Sequence, residues 1–204
     1  MSTLPDHTRF QTAYAGQAPW DIGRPQSPIA ASADLVKSPL LDSGCGTGDT
    51  ALFFAAKGHQ VTGIDFIEEA IRRAKLKATE RRLSARFLLK DALTLDQWDQ
   101  EFNTIIDSGL FHVFSDDDRR GYVNGLAHVL TSGGHLLLLC FSDEEPAGNG
   151  PRRVSRDELH QAFATGWNIE SIQPVRFEIN PQAADLNFSS GGPKAWFSTI
   201  RRIS

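Results

Sequence analysis

The chain has 204 residues, 40% hydrophobic and 23% charged, a length and balance that suit one globular domain with a full core. Its 25 acidic and 21 basic residues leave a formal net charge of -4. They form no basic stripe of the kind that tracks a phosphate backbone, which argues against nucleic acid as a partner. Two cysteines, Cys45 and Cys140, make neither a metal cluster nor a disulfide framework. The longest apolar run, residues 136–141, is too short to span a bilayer, and the polar residues 1–6 carry no apolar signal core. The sequence predicts a soluble, cytoplasmic protein of one domain, 1–204.

Taken in chain order, Pro19, Gly23, Pro25 and Pro28 make the first 30 residues an irregular arm. A short helix is expected at 29–37, stopped by Pro39. Residues 40–42 read as a buried strand, 44–48 as a glycine turn and 49–57 as a helix ended by Gly58. A second strand is expected at 60–65. Ile67, Ala70, Ile71, Ala74 and Ala78 then recur at helical spacing to about Arg82. Strands follow at 86–89 and 102–107. Ser115 can cap a helix whose inner face is Tyr122, Leu126, Val129 and Leu130, with Gly133-Gly134 closing it. Residues 135–141 are the most apolar strand and so a central one. Ser155 and Glu158 make a capping box for a helix near 156–164, and two late strands lie near 168–178 and 195–203. Strands alternating with helices imply a mostly parallel sheet with helices on both faces. No crossover helix fits the Gly-, Pro-, Ser- and Asn-rich gap at 180–194, so the last two strands should form an antiparallel hairpin.

The informative heptad is Asp42-Ser43-Gly44-Cys45-Gly46-Thr47-Gly48, between a strand and a helix. Glycines there let backbone turn sharply beside a ligand, and the helix start offers free N–H groups. A dinucleotide loop would read Gly-x-Gly-x-x-Gly. This one reads Gly-x-Gly-x-Gly after an acid, which counts against a nicotinamide-dependent reductase. Asp65 ends the second strand, where an acid can accept both ribose hydroxyls, Asp91-Ala92 follows the third, and Asp107-Ser108-Gly109 ends the fourth. Ligands of such sheets bind at the carboxyl ends of the strands.

Leu40-Leu41-Asp42-Ser43-Gly44-Cys45-Gly46-Thr47-Gly48 resembles the first motif of class I S-adenosylmethionine-dependent methyltransferases. The resemblance runs from about residue 10 to the C-terminus. It implies an α/β, Rossmann-like fold with a seven-stranded, mostly parallel sheet and a C-terminal antiparallel hairpin. It also implies S-adenosyl-L-methionine as cofactor, S-adenosyl-L-homocysteine as product, and no metal. By that resemblance Asp42, Gly44, Gly46 and Gly48 surround the methionine part, Asp65 holds the ribose, Phe66 packs by the adenine, Asp91 and Ala92 meet its edge, and Ser108 sits near the sulfonium. Ser43 stands where an aliphatic residue is commoner. Pro19-Trp20-Asp21-Ile22-Gly23-Arg24-Pro25-Gln26 resembles the N-terminal segment of the thiopurine and halide methyltransferase branch and of small bacterial enzymes that methylate heterocyclic toxins. That likeness implies Trp20 and Arg24 as cofactor contacts, with 1–30 closing as a lid.

The implied reaction is methyl transfer to a small molecule, with the oxygen of a hydroxylated aromatic or heterocycle expected as acceptor. Sulfur, halide or metalloid acceptors and a non-catalytic cofactor-binding protein stand as alternatives. The oligomeric state is left open between monomer and homodimer. His112, just after the fourth strand, is the candidate general base because histidine titrates near neutrality. The hairpin places the 180–194 loop at the carboxyl edge with the loop 142–153 and the arm. Tyr14, Phe111, Phe188 and Trp196 are candidates to stack on an acceptor ring, with Phe10 and Phe114 also available. Asp116-Asp117-Asp118 reads as a helix start favoured by the dipole, not as a metal site.

Overall fold

A computed structural model describes residues 7–16, 18–148, 150–180 and 186–203. The polar start at 1–6 and part of the late loop, 181–185, lie outside the described residues. Seven strands form one sheet: β1 Leu40–Ser43, β2 Val61–Asp65, β3 Arg86–Leu89, β4 Phe102–Ser108, β5 Leu130–Phe141, β6 Trp167–Arg176 and β7 Lys194–Arg202. Their order is β3-β2-β1-β4-β5-β7-β6. β1 pairs in parallel with β2 and β4, and β7 runs antiparallel to both β5 and β6. This is the seven-stranded, mostly parallel sheet with a terminal antiparallel hairpin that the resemblance implied, β7 being inserted between β5 and β6.

Alternation along the strands divides the core between the two faces. Leu41, Ile105, Leu136, Leu138 and Cys140 pack with helices α5 Asp116–Val129 and α6 Arg156–Ala162. Leu40, Ile106, Leu137, Leu139 and Phe141 pack on the other side with α3 Asp49–Ala56 and α4 Glu68–Arg81. The caps form as the sequence requires. Ser115 Oγ accepts the Asp118 N–H, and Ser155 and Glu158 make a reciprocal capping box.

Three expectations are revised. The first 30 residues are not wholly irregular: α1 His7–Ala15 and α2 Ser27–Ala31 lie within them. α1 is polar, and only Phe10 and Tyr14, one turn apart, mark its inner face, with Arg73 of α4 donating to the Tyr14 and Gly16 carbonyls. The helix expected at 29–37 is α2 followed by a 3-10 turn, Ala33–Leu35. Finally, α5 ends at Val129 and the chain is already extended at Leu130. The glycine pair instead breaks the β4–β5 register, with Phe102 opposite Leu130 but Thr104 opposite His135.

Candidate active site

The carboxyl ends of β1, β2, β3 and β4 open into a cavity of about 740 Å³, walled by the arm and by the segments after β5 and β6. Its size falls within the ~300–1,000 Å³ usual for small-ligand sites. The floor is the turn after β1. Its backbone is tied down by Cys45 N–H to Ile64 O at 2.8 Å and Gly48 N–H to Cys45 O at 2.9 Å. Gly46 has φ +53°, and a Cβ there would stand 2.7 Å from the Tyr14 hydroxyl, so only glycine lets the arm close this tightly. Asp65, at the tip of β2, accepts the Gly46 N–H on Oδ2 and the Ile67 N–H on Oδ1, both at 2.9 Å. It thereby holds the loop in place while its carboxylate faces the cavity.

Two carboxyls lining this end are held far above the ordinary carboxylate range. Burial pushes Asp65 up to about 6. Burial, aided by the charges of Asp65, Asp107 and Asp49, pushes Asp42 up to about 7. Among the described residues no cation is a main cause acting on either group. A cationic ligand bound beside them would favour the ionised form of both. Asp107 is equally buried but faces inward. The Tyr122 hydroxyl donates to its Oδ2 at 2.9 Å and lies 3.0 Å from Ser43 Oγ. A serine therefore stands at position 43 where an aliphatic residue is commoner: it joins this buried polar pair. Asp91 Oδ1 accepts the Leu93 N–H at 2.9 Å, capping the turn Ala92–Gln97 and turning Asp91 and Ala92 toward the cavity.

The cover is aromatic and cross-tied. Trp20 Nε1–H donates to the Tyr14 hydroxyl at 3.0 Å, and Phe10 meets Trp20 and Phe66 edge to face, each at 5.7 Å. Arg24 pairs with Glu178, which also accepts from Ser27, while Gln26 bonds the Glu178 backbone. Across the cavity, buried Glu145 accepts the Ser189 and Lys194 N–H groups at 3.0 and 2.9 Å, fastening the late loop to the segment after β5.

Trp20, Arg24, Asp42, Gly44, Gly46, Asp65, Phe66, Asp91, Ala92 and Ser108 all line the cavity, as do Tyr14, His112 and Phe188. Tyr14 stands over Gly46, on the glycine-loop side rather than the far side. Three expected residues do not line it. A Cβ on Gly48 would meet Ala74 and Phe87 at 2.8 Å, so that glycine serves helix–sheet packing. Phe111 is fully buried, with the Arg119 guanidinium 4.5 Å from its ring centre and Phe163 stacked at 5.7 Å. Trp196 lies opposite Cys140 on the α5–α6 face, its Nε1–H donating to Val154 O at 3.0 Å and its ring under Arg156 at 4.0 Å.

Phe141, Phe177, Leu110, Leu186 and Arg152 also line the cavity and escaped the sequence reading. Phe141 ends β5 and was legible by the same strand-end rule. Phe177 and Leu186 depend on the hairpin's tertiary course. His112 Nδ1 accepts the Phe141 N–H at 3.0 Å, and burial with the charges of Arg119 and Arg153 depresses the ring to about 3. Each acid of the Asp116-Asp117-Asp118 run has a local partner: Arg152, Arg120 and Ser115 respectively. Among the described residues no helix is long and apolar enough to cross a membrane.

Residues 40–134 match a family model described as a methyltransferase domain. The chain is 34% identical to the 2-heptyl-1-hydroxyquinolin-4(1H)-one methyltransferase of Mycobacteroides abscessus, over 96% of this chain and 89% of that protein. It is 28% identical to the probable thiol methyltransferase 2 of Arabidopsis thaliana, over 82% of this chain and 76% of the relative. A structure solved in work on the conversion of a disulfide bond into a thioacetal group during echinomycin biosynthesis superposes with TM-score 0.83 at 35% identity, covering 97% of this chain and 93% of that one.

Proposed function

The chain belongs to the S-adenosylmethionine-dependent methyltransferases, and from that premise we propose that this small-molecule enzyme O-methylates a hydroxylated aromatic or heterocyclic compound. The observation that carries the reading is one cavity with two unlike ends. The end built on β1 and β2 holds Asp42 and Asp65, which pair with no cation among the described residues, and the other is walled by Phe141, Phe177 and Phe188.

The acidic end fits the cofactor, whose sulfonium and ammonium are cations and whose ribose needs an acceptor. Asp65 would take the ribose hydroxyls, and Asp42 with the backbone at Gly44 and Gly46 would face the methionine part. Phe66, Asp91 and Ala92 would border the adenine, Ser108 would stand near the sulfonium, and Trp20, with Arg24 latched behind it, would cover the site. When bound, the cofactor supplies an electrophilic methyl group. The chain's own contribution is orientation and exclusion of water: aromatic walls and a cross-tied cover hold an acceptor in a dry site.

The relative that acts on a hydroxylated quinolinone supports an oxygen acceptor. A sulfur acceptor is the second reading, favoured by likeness to a probable thiol methyltransferase. Titration calorimetry with S-adenosylhomocysteine tests the cofactor half. Product formation from methyl-labelled cofactor across hydroxylated heterocycles and thiols tests the acceptor half. Turnover of thiols alone would replace the oxygen reading with the sulfur one.

A further inference from the structure

His112 sits in a one-turn 3-10 helix, Phe111–Val113, after β4. Its ring meets those of Phe141 at 5.1 Å and Phe177 at 5.8 Å, which are 5.1 Å from each other. The backbone amide of Phe141 can only donate, and it donates to Nδ1 at 3.0 Å. That lone pair is spent, so the hydrogen of the neutral ring is on Nε2. The ring borders the cavity, with Nε2 3.7 Å from where a Cβ on Gly109 would stand, next to Ser108. Nε2 in this tautomer has no free lone pair to take a proton, and the ring could be protonated only at Nδ1, where it would lose the Phe141 bond.

The charged groups acting on this ring are both cationic. Arg119 comes from α5 and Arg153 from the segment after β5, while Phe141 of β5 and Phe177 after β6 pack on the ring without charge. Arg119 is buried, and its Nε and Nη2 find no hydrogen-bond partner among the described residues. The carboxylates nearest it, Glu158 at 3.4 Å and Asp116 at 3.9 Å, are both shared with Arg152. Together with burial these cations oppose an imidazolium, and the same field favours an anion.

We propose that His112 is a hydrogen-bond donor and not a base: its Nε2–H holds the acceptor oxygen as an oxyanion, in the site where this methyltransferase binds its substrate. The inference rests on the methyltransferase reading above. The proton balance is simple. The acceptor gives its proton to water, and the imidazole enters and leaves neutral with its own hydrogen in place. The substrate class is narrowed to compounds whose hydroxyl ionises near neutral pH, such as N-hydroxy or electron-poor aromatic hydroxyl groups. An unactivated alcohol would find nothing here to remove its proton.

The probe is 2-heptyl-1-hydroxyquinolin-4(1H)-one, titrated by ultraviolet absorbance on protein saturated with S-adenosylhomocysteine. The ionisation midpoint of the bound probe should fall by about one pH unit or more relative to the free compound, a roughly tenfold preference for the anion. His112→Phe should abolish that fall and weaken anion binding by about tenfold or more, as expected for a hydrogen bond to a charged group. His112→Gln, which keeps an N–H near the Nε2 position, should restore part of both and serves as the test if the Phe variant does not fold. Across acceptors of different acidity, the midpoint of kcat/KM against pH should follow the acceptor. A midpoint that stays fixed while the acceptor changes, a probe that binds as the neutral form or not at all, or unchanged anion affinity in a folded His112→Phe protein overturns the proposal. Failure of S-adenosylhomocysteine to bind is a separate result and sinks the methyltransferase reading on which it rests.

Discussion

The floor and the cover of the cavity are held together by different means. The floor is a set of strand ends whose carboxylates bond backbone amides, as Asp65 does with Ile67 and Gly46 and Asp91 with Leu93. The cover is joined by side-chain ties, long-range from Arg24 to Glu178 and from Glu145 to Ser189 and Lys194, and local from Trp20 to Tyr14 within the arm. A floor built from the sheet is rigid and can be common to many acceptors. A cover fastened by a few replaceable contacts can change its acceptor without disturbing the sheet, the usual division between scaffold and loops.

If that division holds, the largest effect belongs to the floor. Asp65→Asn should raise the dissociation constant for S-adenosylhomocysteine about tenfold to hundredfold, the worth of charge-assisted hydrogen bonds in a buried site, and calorimetry reads it directly. Unchanged affinity would show that the strand-end acid is only a loop tie. Gly46→Ala comes next because it strikes both regions. An alanine must hold φ near +53° with its Cβ 2.7 Å from the Tyr14 hydroxyl. The strained backbone costs about 1 kcal/mol, and the displaced arm adds to it. Cofactor affinity should fall about tenfold. Adding Tyr14→Phe should recover part of the loss, and a double-mutant cycle measures how much.

The cover should respond differently. Glu145→Ala leaves two backbone N–H groups without their carboxylate and loosens the loop that carries Phe188. The acceptor KM should rise several-fold, while the dissociation constant for S-adenosylhomocysteine stays within about twofold, a split consistent with losing binding at one end only. Equal losses in both would mean that floor and cover act as one unit.

The same contrast decides what was readable from the residues alone. Gly44-Cys45-Gly46, Asp65 and Asp91 fall at strand ends, and strand ends follow from local periodicity, so the floor was legible almost residue by residue. The cover was not. α1 is too polar to announce itself, and Phe111 and Trp196 were expected in the pocket because an aromatic near a strand end looks alike whichever face it takes. The register decides the face of Trp196: placed opposite Cys140, it joins the α5–α6 core. Gly48 belongs to the right motif, but its bare Cα makes room for Ala74 and Phe87 rather than for a ligand. His112 was identified by residue type. Its tautomer, set by the Phe141 amide, was beyond any sequence pattern.

The effect hardest to isolate is a pH dependence of the floor's own stability. Asp42 has its carboxyl raised to about 7, chiefly by burial, and an unfolded aspartate titrates near about 3.9. A pKa raised on folding means that the folded state favours the protonated acid. The stabilisation is complete below the unfolded value and disappears as pH rises through the folded one. Without cofactor, the Asp42 contribution should therefore decline between about pH 4 and about pH 7. His112 acts in the opposite sense: its depressed pKa, about 3, contributes stability above its unfolded value that is lost as pH falls toward about 3. A plain melting curve mixes the two, and a difference separates them. Asp42→Asn keeps an oxygen for the Ala51 N–H and cannot ionise. Its Tm relative to the parent should rise across that window by roughly 2–4 °C for each kcal/mol recovered. Adding S-adenosylmethionine should shrink the difference at pH 7, because the cation restores the value of the ionised acid, whereas uncharged-sulfur S-adenosylhomocysteine should shrink it less. A difference that is flat with pH, or equal for the two ligands, would place the titrating group somewhere other than Asp42.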